Sequence, residues 1–127
     1  MKTIILITKD QKEGNQLKTF LSKHRYLLKP CSHLENIEKE VKENTCKTII
    51  LDLDSITLDN RTIKELTLQY PQIYFLCISK DQFHPELKDA ICYHIYACLK
   101  KPLDPDELLY WLRCFEDNDS DVPSTGK

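Results

Sequence analysis

Residues 47–54 read Lys47-Thr48-Ile49-Ile50-Leu51-Asp52-Leu53-Asp54. A branched apolar run without polar alternation describes a strand covered on both faces, which is how strands of a helix-flanked parallel sheet read. The run ends in acids. In an open parallel sheet the crevice that does chemistry lies beyond the carboxyl ends of the strands, so Asp52 and Asp54 stand where a site would form.

The same unit recurs on both sides. Upstream, Thr3 to Thr8 is a continuous apolar strand, and Leu17, Phe20, Leu21 and His24 mark the helix after it. Tyr26 to Cys31 is a weaker strand, followed by a helix that Ser32 can cap and that buries Leu34, Ile37 and Val41. Downstream, Ile63, Leu66 and Tyr70 mark a helix stopped by Pro71, and Gln72 to Ser79 forms the fourth strand. Pro85 opens a helix with Leu87, Ala90 and Ile91 inward, and Tyr96 to Lys100 is the fifth strand. Asp104-Pro105-Asp106-Glu107 then combines a cap, a first-turn proline and helix-start acids, ahead of a buried stripe of Leu108, Leu109, Leu112 and Phe115. Five such repeats predict an α/β fold, a doubly wound (βα)5 domain on a five-stranded parallel sheet over residues 1–115. Residues 116–127 are polar with little to bury and read as a disordered tail or a linker.

Bulk properties narrow the function. The 127 residues suffice for one domain, and a formal net charge of -2 gives no basic excess for gripping nucleic acid. No apolar run reaches the roughly 20 residues needed to span a bilayer, and the N-terminus carries charge too early for a signal peptide, so a cytoplasmic location is expected. With only Gly14 and Gly126 there is no glycine-rich cradle for a dinucleotide or a nucleoside triphosphate. The six cysteines, Cys31, Cys46, Cys77, Cys92, Cys98 and Cys114, form no close C-x-x-C pair and read as free, mostly buried thiols. Cys92, His94 and Cys98 suit zinc by type but fit no standard finger spacing. Glu38-Lys39-Glu40 with Lys42-Glu43 is the wet face of the second helix.

At the strand ends the residues to weigh are Thr8, Lys9, Asp10, Asp52, Asp54, Ser79 and Lys101. With Ile49-Ile50-Leu51-Asp52-Leu53, Ser79, Lys101-Pro102 and Leu103-Asp104-Pro105 at their spacings, the chain resembles the response-regulator receiver domains of two-component signalling from residue 2 to about 115. The resemblance implies the flavodoxin-like strand order 2-1-3-4-5. It also implies a phospho-acceptor at Asp52, a hydroxyl at Ser79 that moves towards the phosphate, Lys101 pairing with its oxygens, and Mg²⁺ held by the acceptor and an acidic pair after the first strand. Asp59-Asn60 falls where such domains have Asp-Gly, and Asn tolerates the positive φ of that turn.

Thr8 and Lys9 occupy the positions of the acidic pair, leaving Asp10 one place further on. Lys9 is therefore expected to replace the metal as a cation pairing with Asp52 or Asp54. Cys98 stands where the family's signalling aromatic is usual, with Tyr96 on the same strand face as a substitute, and Ile56 replaces the loop proline. These departures describe a pseudo-receiver that needs no cofactor and is not an enzyme. It would present the surface of the fourth helix, fifth strand and fifth helix, with Tyr93, Tyr96, Tyr110 and Trp111 as candidates, to a protein partner: a histidine kinase, an effector domain or another signalling protein, with a homodimer as the alternative. Two rivals stay open: a working phospho-receiver in which Asp10, Asp52 and Asp54 gather Mg²⁺, and a flavodoxin-like cofactor or redox protein.

Overall fold

The computed structural model describes residues 2–44, 46–56, 59–80 and 97–125, without the side chains of residues 44 and 117–125. The chain forms β1 (Lys2–Ile7), α1 (Gln11–Ser22), β2 (Tyr26–Cys31), α2 (Ile37–Asn44), β3 (Thr48–Asp52), α3 (Asn60–Gln69), β4 (Tyr74–Ser79), β5 (Ala97–Lys100) and α4 (Pro105–Thr125). The strands make one parallel sheet in the order β2-β1-β3-β4-β5. The helix expected around Pro85, Leu87, Ala90 and Ile91 lies outside the described residues.

Strand periodicity explains how the layers assemble, because successive side chains point to opposite faces. Ile5, Ile7, Ile49, Leu51, Phe75 and Cys77 form one core with Ile37 of α2 and Ile63 of α3. Ile4, Leu6, Ile50, Leu76, Ile78 and Leu99 form the other, with Leu17 and Leu21 of α1 and Leu108, Leu112 and Phe115 of α4. Both faces of β1, β3 and β4 are thereby dry, as their unbroken apolar runs require. Pro30 is tolerated in β2 because this is the sheet's edge. Cys31 O accepts from Thr8 N–H at 2.9 Å, so the backbone of Pro30, one residue earlier, faces away from β1 and its missing N–H removes no ladder bond.

Helix starts follow cap chemistry. Asp10 caps α1 by accepting from Glu13 N–H at 3.1 Å, Asp59 caps α3 by accepting from Thr62 N–H at 2.8 Å, and Asp104 accepts from Asp106 N–H at 2.9 Å at the start of α4. Two expectations are corrected. Ser32 does not cap the second helix: a 3₁₀ turn at Leu34–Asn36 precedes α2, with His33 as its flanking residue and no side-chain cap. Asn60 is not a positive-φ turn residue, because Asp59 takes the cap and Asn60 enters the helix; among the described residues Arg25, at φ 69°, is the non-glycine in that region. Helix α4 runs on past residue 116 to Thr125.

Candidate functional site

The alternation that builds the core also builds the pocket. Thr8 continues the face of Ile4 and Leu6, Asp52 that of Ile50, and Lys101 that of Ala97 and Leu99, so all three meet on the α1 side at the carboxyl end of the sheet. Asp52 is fully buried, and both of its oxygens are engaged. Oδ2 accepts from Thr8 Oγ1 at 2.7 Å and from Ser55 Oγ at 2.8 Å; Oδ1 accepts from Lys101 Nζ at 2.8 Å and from Asp54 N–H at 3.1 Å. A buried carboxylate is tolerable only with this kind of satisfaction.

Lys101 is the centre of charge. Its Nζ lies 2.8 Å from Asp52 Oδ1, 3.1 Å from Asp54 Oδ2 and 3.3 Å from Glu13 Oε1, with the side chain only 12% exposed. Burial works to lower the Lys101 pKa, but the bonds to Asp52 and Asp54 outweigh it and hold the ammonium above its ordinary range. Burial likewise works to raise Asp52, yet Lys101, Thr8 and Ser55 together hold its carboxyl below the ordinary value. At Glu13 burial prevails and the carboxyl is raised despite Lys101. The inner Glu13 oxygen is buried and outside hydrogen-bond geometry, so its contact with Lys101 is a charge pair.

The expected site residues are sorted by this geometry. Thr8, Asp52, Asp54 and Lys101 come together, and Ser79 joins them through Oγ donating to Asp54 Oδ1 at 3.3 Å. Asp54 also accepts from Lys80 N–H at 2.9 Å and is a fixed member of the cluster. Lys9 does not enter: it is exposed, and the ion pairs of Asp52 and Asp54 are with Lys101. The reason is local, since Thr8 faces inward and its neighbour on the chain faces out. Asp10 is spent on the α1 cap. Among the described residues no group of three His, Cys, Asp or Glu side chains is arranged to hold a metal ion. Beside the Asp52 and Asp54 carboxylates stand the Thr8 hydroxyl and the Lys101 ammonium, while the Lys9 cation faces outward.

Cys98 is half-buried on β5, directly opposite the fully buried Cys77 of β4. Both thiols are raised by burial, Cys77 further by Cys98 and Cys98 by Asp54. Tyr96, Tyr93, Cys92 and His94 lie outside the described residues, and with them most of the expected partner surface and the conceivable zinc site. Tyr110 is exposed, and its ring meets Trp111 edge-on at 5.6 Å between centroids.

Glu13 and Ser55 were not among the expected site residues. A signal for Glu13 existed: Asp10 and Glu13 have capping-box spacing, which predicts a carboxylate bent back onto the helix start. Glu13 instead reaches Lys101. Ser55 had no signal, being a small polar residue in a turn.

The backbone that holds this geometry is similar to that of solved structures. It superposes with a TM-score of 0.80 on the signal receiver domain of an HD domain-containing protein from Pseudomonas fluorescens Pf-5, at 22% identity, covering 94% of this chain and 98% of that one. It has the receiver-domain fold. A CheY-like receiver domain protein from Methanospirillum hungatei JF-1 superposes equally, at 0.80 with 11% identity over 95% of this chain and 98% of that one. A putative pilus assembly-related protein from Burkholderia pseudomallei K96243 matches at 0.72 with 19% identity, over 91% and 89%. No protein-family model matches the chain, and no curated protein matches it by sequence. Among the described residues no helix is long and apolar enough to cross a membrane.

Proposed function

We propose that this receiver fold serves as a signalling module of the two-component type whose carboxylate pocket is neutralised from within, by Lys101, instead of by a bound divalent ion. One observation carries the reading. The Lys101 ammonium stands within 3.3 Å of three carboxylates, where a divalent ion would otherwise balance their charge. An ammonium needs no coordination shell to be completed by water or phosphate, so the pocket has a stable electrostatic state of its own. Phosphoryl transfer relies on charge neutralisation around the transferring group, and a pocket whose carboxylates are balanced by Lys101, with Thr8 and Lys9 in place of the acidic pair, lacks a major part of that apparatus. The module then acts by presenting its surface to a protein partner, for which the exposed Tyr110 beside Trp111 is the nameable part.

The competing reading, phosphate acceptance on Asp52, keeps support from Asp52, Ser79 and Lys101 meeting at the strand ends. Incubation with acetyl phosphate and Mg²⁺, followed by intact-mass measurement, separates the two. The internal-cation reading predicts no added phosphoryl group; an addition that disappears in Asp52→Asn would overturn it.

A further inference from the structure

Glu13 is placed in an unusual way for a residue in the first turn of a surface helix. Its backbone N–H is held by the Asp10 cap at 3.1 Å, while its side chain, 21% exposed, turns inward over the sheet edge to Lys101. Its inner oxygen is buried and lacks a hydrogen bond. Asp10, three residues earlier, shows that a carboxylate on this segment can sit in water. The partner of that oxygen is the Lys101 ammonium at 3.3 Å, so the inward bend of the side chain serves this cation.

What it holds is one side of a shared cation. Asp52 and Asp54 contact Lys101 from the end of β3, and Glu13 contacts it from α1. The pairing with Asp52 is the shorter by 0.5 Å, from 2.8 Å against 3.3 Å, and has hydrogen-bond geometry that the Glu13 pairing lacks. We propose that Glu13 is a positioning residue through which helix α1 senses the charge of Asp52, with Lys101 as the part that moves. The inference rests on reading the pocket as regulatory, and adds α1 as an output. When Asp52 loses its charge, its attraction for Lys101 falls and the ammonium settles towards Glu13 and Asp54. The first turn of α1 follows, because the Glu13 backbone is tied to the Asp10 cap.

The test is a double-mutant cycle read by NMR on the full chain, with wild type, Asp52→Asn, Glu13→Gln and the double variant. Gln keeps the size and helix preference of Glu and removes its charge, so a purely structural role for this position leaves the Asp52→Asn amide shifts equal in the two backgrounds. Expected are amide shifts at Lys12, Glu13 and Gly14 on Asp52→Asn in the wild-type background, reduced severalfold in the Glu13→Gln background. A shifted Lys101 side-chain Cε and Nζ resonance is expected in Glu13→Gln alone. Equal amide shifts in both backgrounds, or none in either, would overturn the proposal. Should Asp52→Asn fail to fold, the Lys101 resonances in Glu13→Gln decide alone, and unchanged shifts refute the coupling. No phosphodonor, divalent ion or partner enters these measurements, so they can succeed where the phosphorylation test fails, and fail where it succeeds.

Discussion

Asp52 has no exposure to water and takes four hydrogen bonds among the described residues, so Lys101, its positive partner there, bears most of the burden of keeping it ionised. Removing that neighbour alone leaves a buried charge. Lys101→Met is expected to destabilise the fold by about 3–5 kcal/mol in chemical denaturation, whereas adding Asp52→Asn recovers a large share. Lys9→Ala should lie within about 0.5 kcal/mol of wild type in the same measurement, since the side chain is exposed and outside the cluster. The sign of the acid response follows from Asp52. Its folded pKa is depressed, so its contribution is complete above the ordinary carboxylate range and is lost as pH falls through the depressed value. Glu13, raised, acts in the opposite sense, its contribution being lost as pH rises through its folded value. Thermal stability should therefore fall below about pH 4, and fall less in Asp52→Asn. At this scale the sequence showed which residue types gather at the strand ends but not which way they face. Thr8 and Lys9 are adjacent, and only the parity of β1 decides that the hydroxyl enters and the ammonium leaves. The same blindness hid Glu13, whose spacing from Asp10 is that of an ordinary cap partner.

The elements were legible wherever a pattern was long or a cap chemically marked. The apolar run ending at Asp52 gave β3, and Asp104-Pro105 gave the start of α4, where Asp104→Ala should cost about 1 kcal/mol in thermal or denaturant unfolding. Ile63, the fully buried contact of α3, should cost about 2–5 kcal/mol as Ile63→Ala. Less legible were the places where two local chemistries compete. Ser32 and His33 both precede a helix, and a 3₁₀ turn intervenes instead of a side-chain cap; Asp59 could be a turn acid or a cap, and the cap won. Paired strands also set thiol reactivity. Cys77 and Cys98 face each other across β4 and β5 with raised pKa values, and Cys46, bonded to Thr48 O at 2.9 Å, is pushed up to about 11. In native protein near neutral pH these three should react with a thiol reagent far more slowly than in denatured protein, and rapid labelling of Cys77 would contradict the packing of this face.

For the whole molecule, the doubly wound (βα)5 architecture followed from five apolar runs alternating with helical stripes, and the structure realises the order 2-1-3-4-5 with a core on each face. Fold class was therefore accessible from periodicity and strand order from the resemblance, while the state of the site was not, because it depends on a contact between residues 88 positions apart, Glu13 and Lys101, that no local pattern encodes. Low identity to the superposed receiver domains, 22% and 11%, at a TM-score of 0.80 fits a scaffold kept by its core pattern. The central claim is that this pocket carries its own counter-cation. Titration of the isotope-labelled chain with Mg²⁺ into the millimolar range, followed at the amides of Leu53, Asp54 and Lys101, tests it most directly. The account predicts no saturable shift at these positions; saturable shifts that vanish in Asp52→Asn would contradict it.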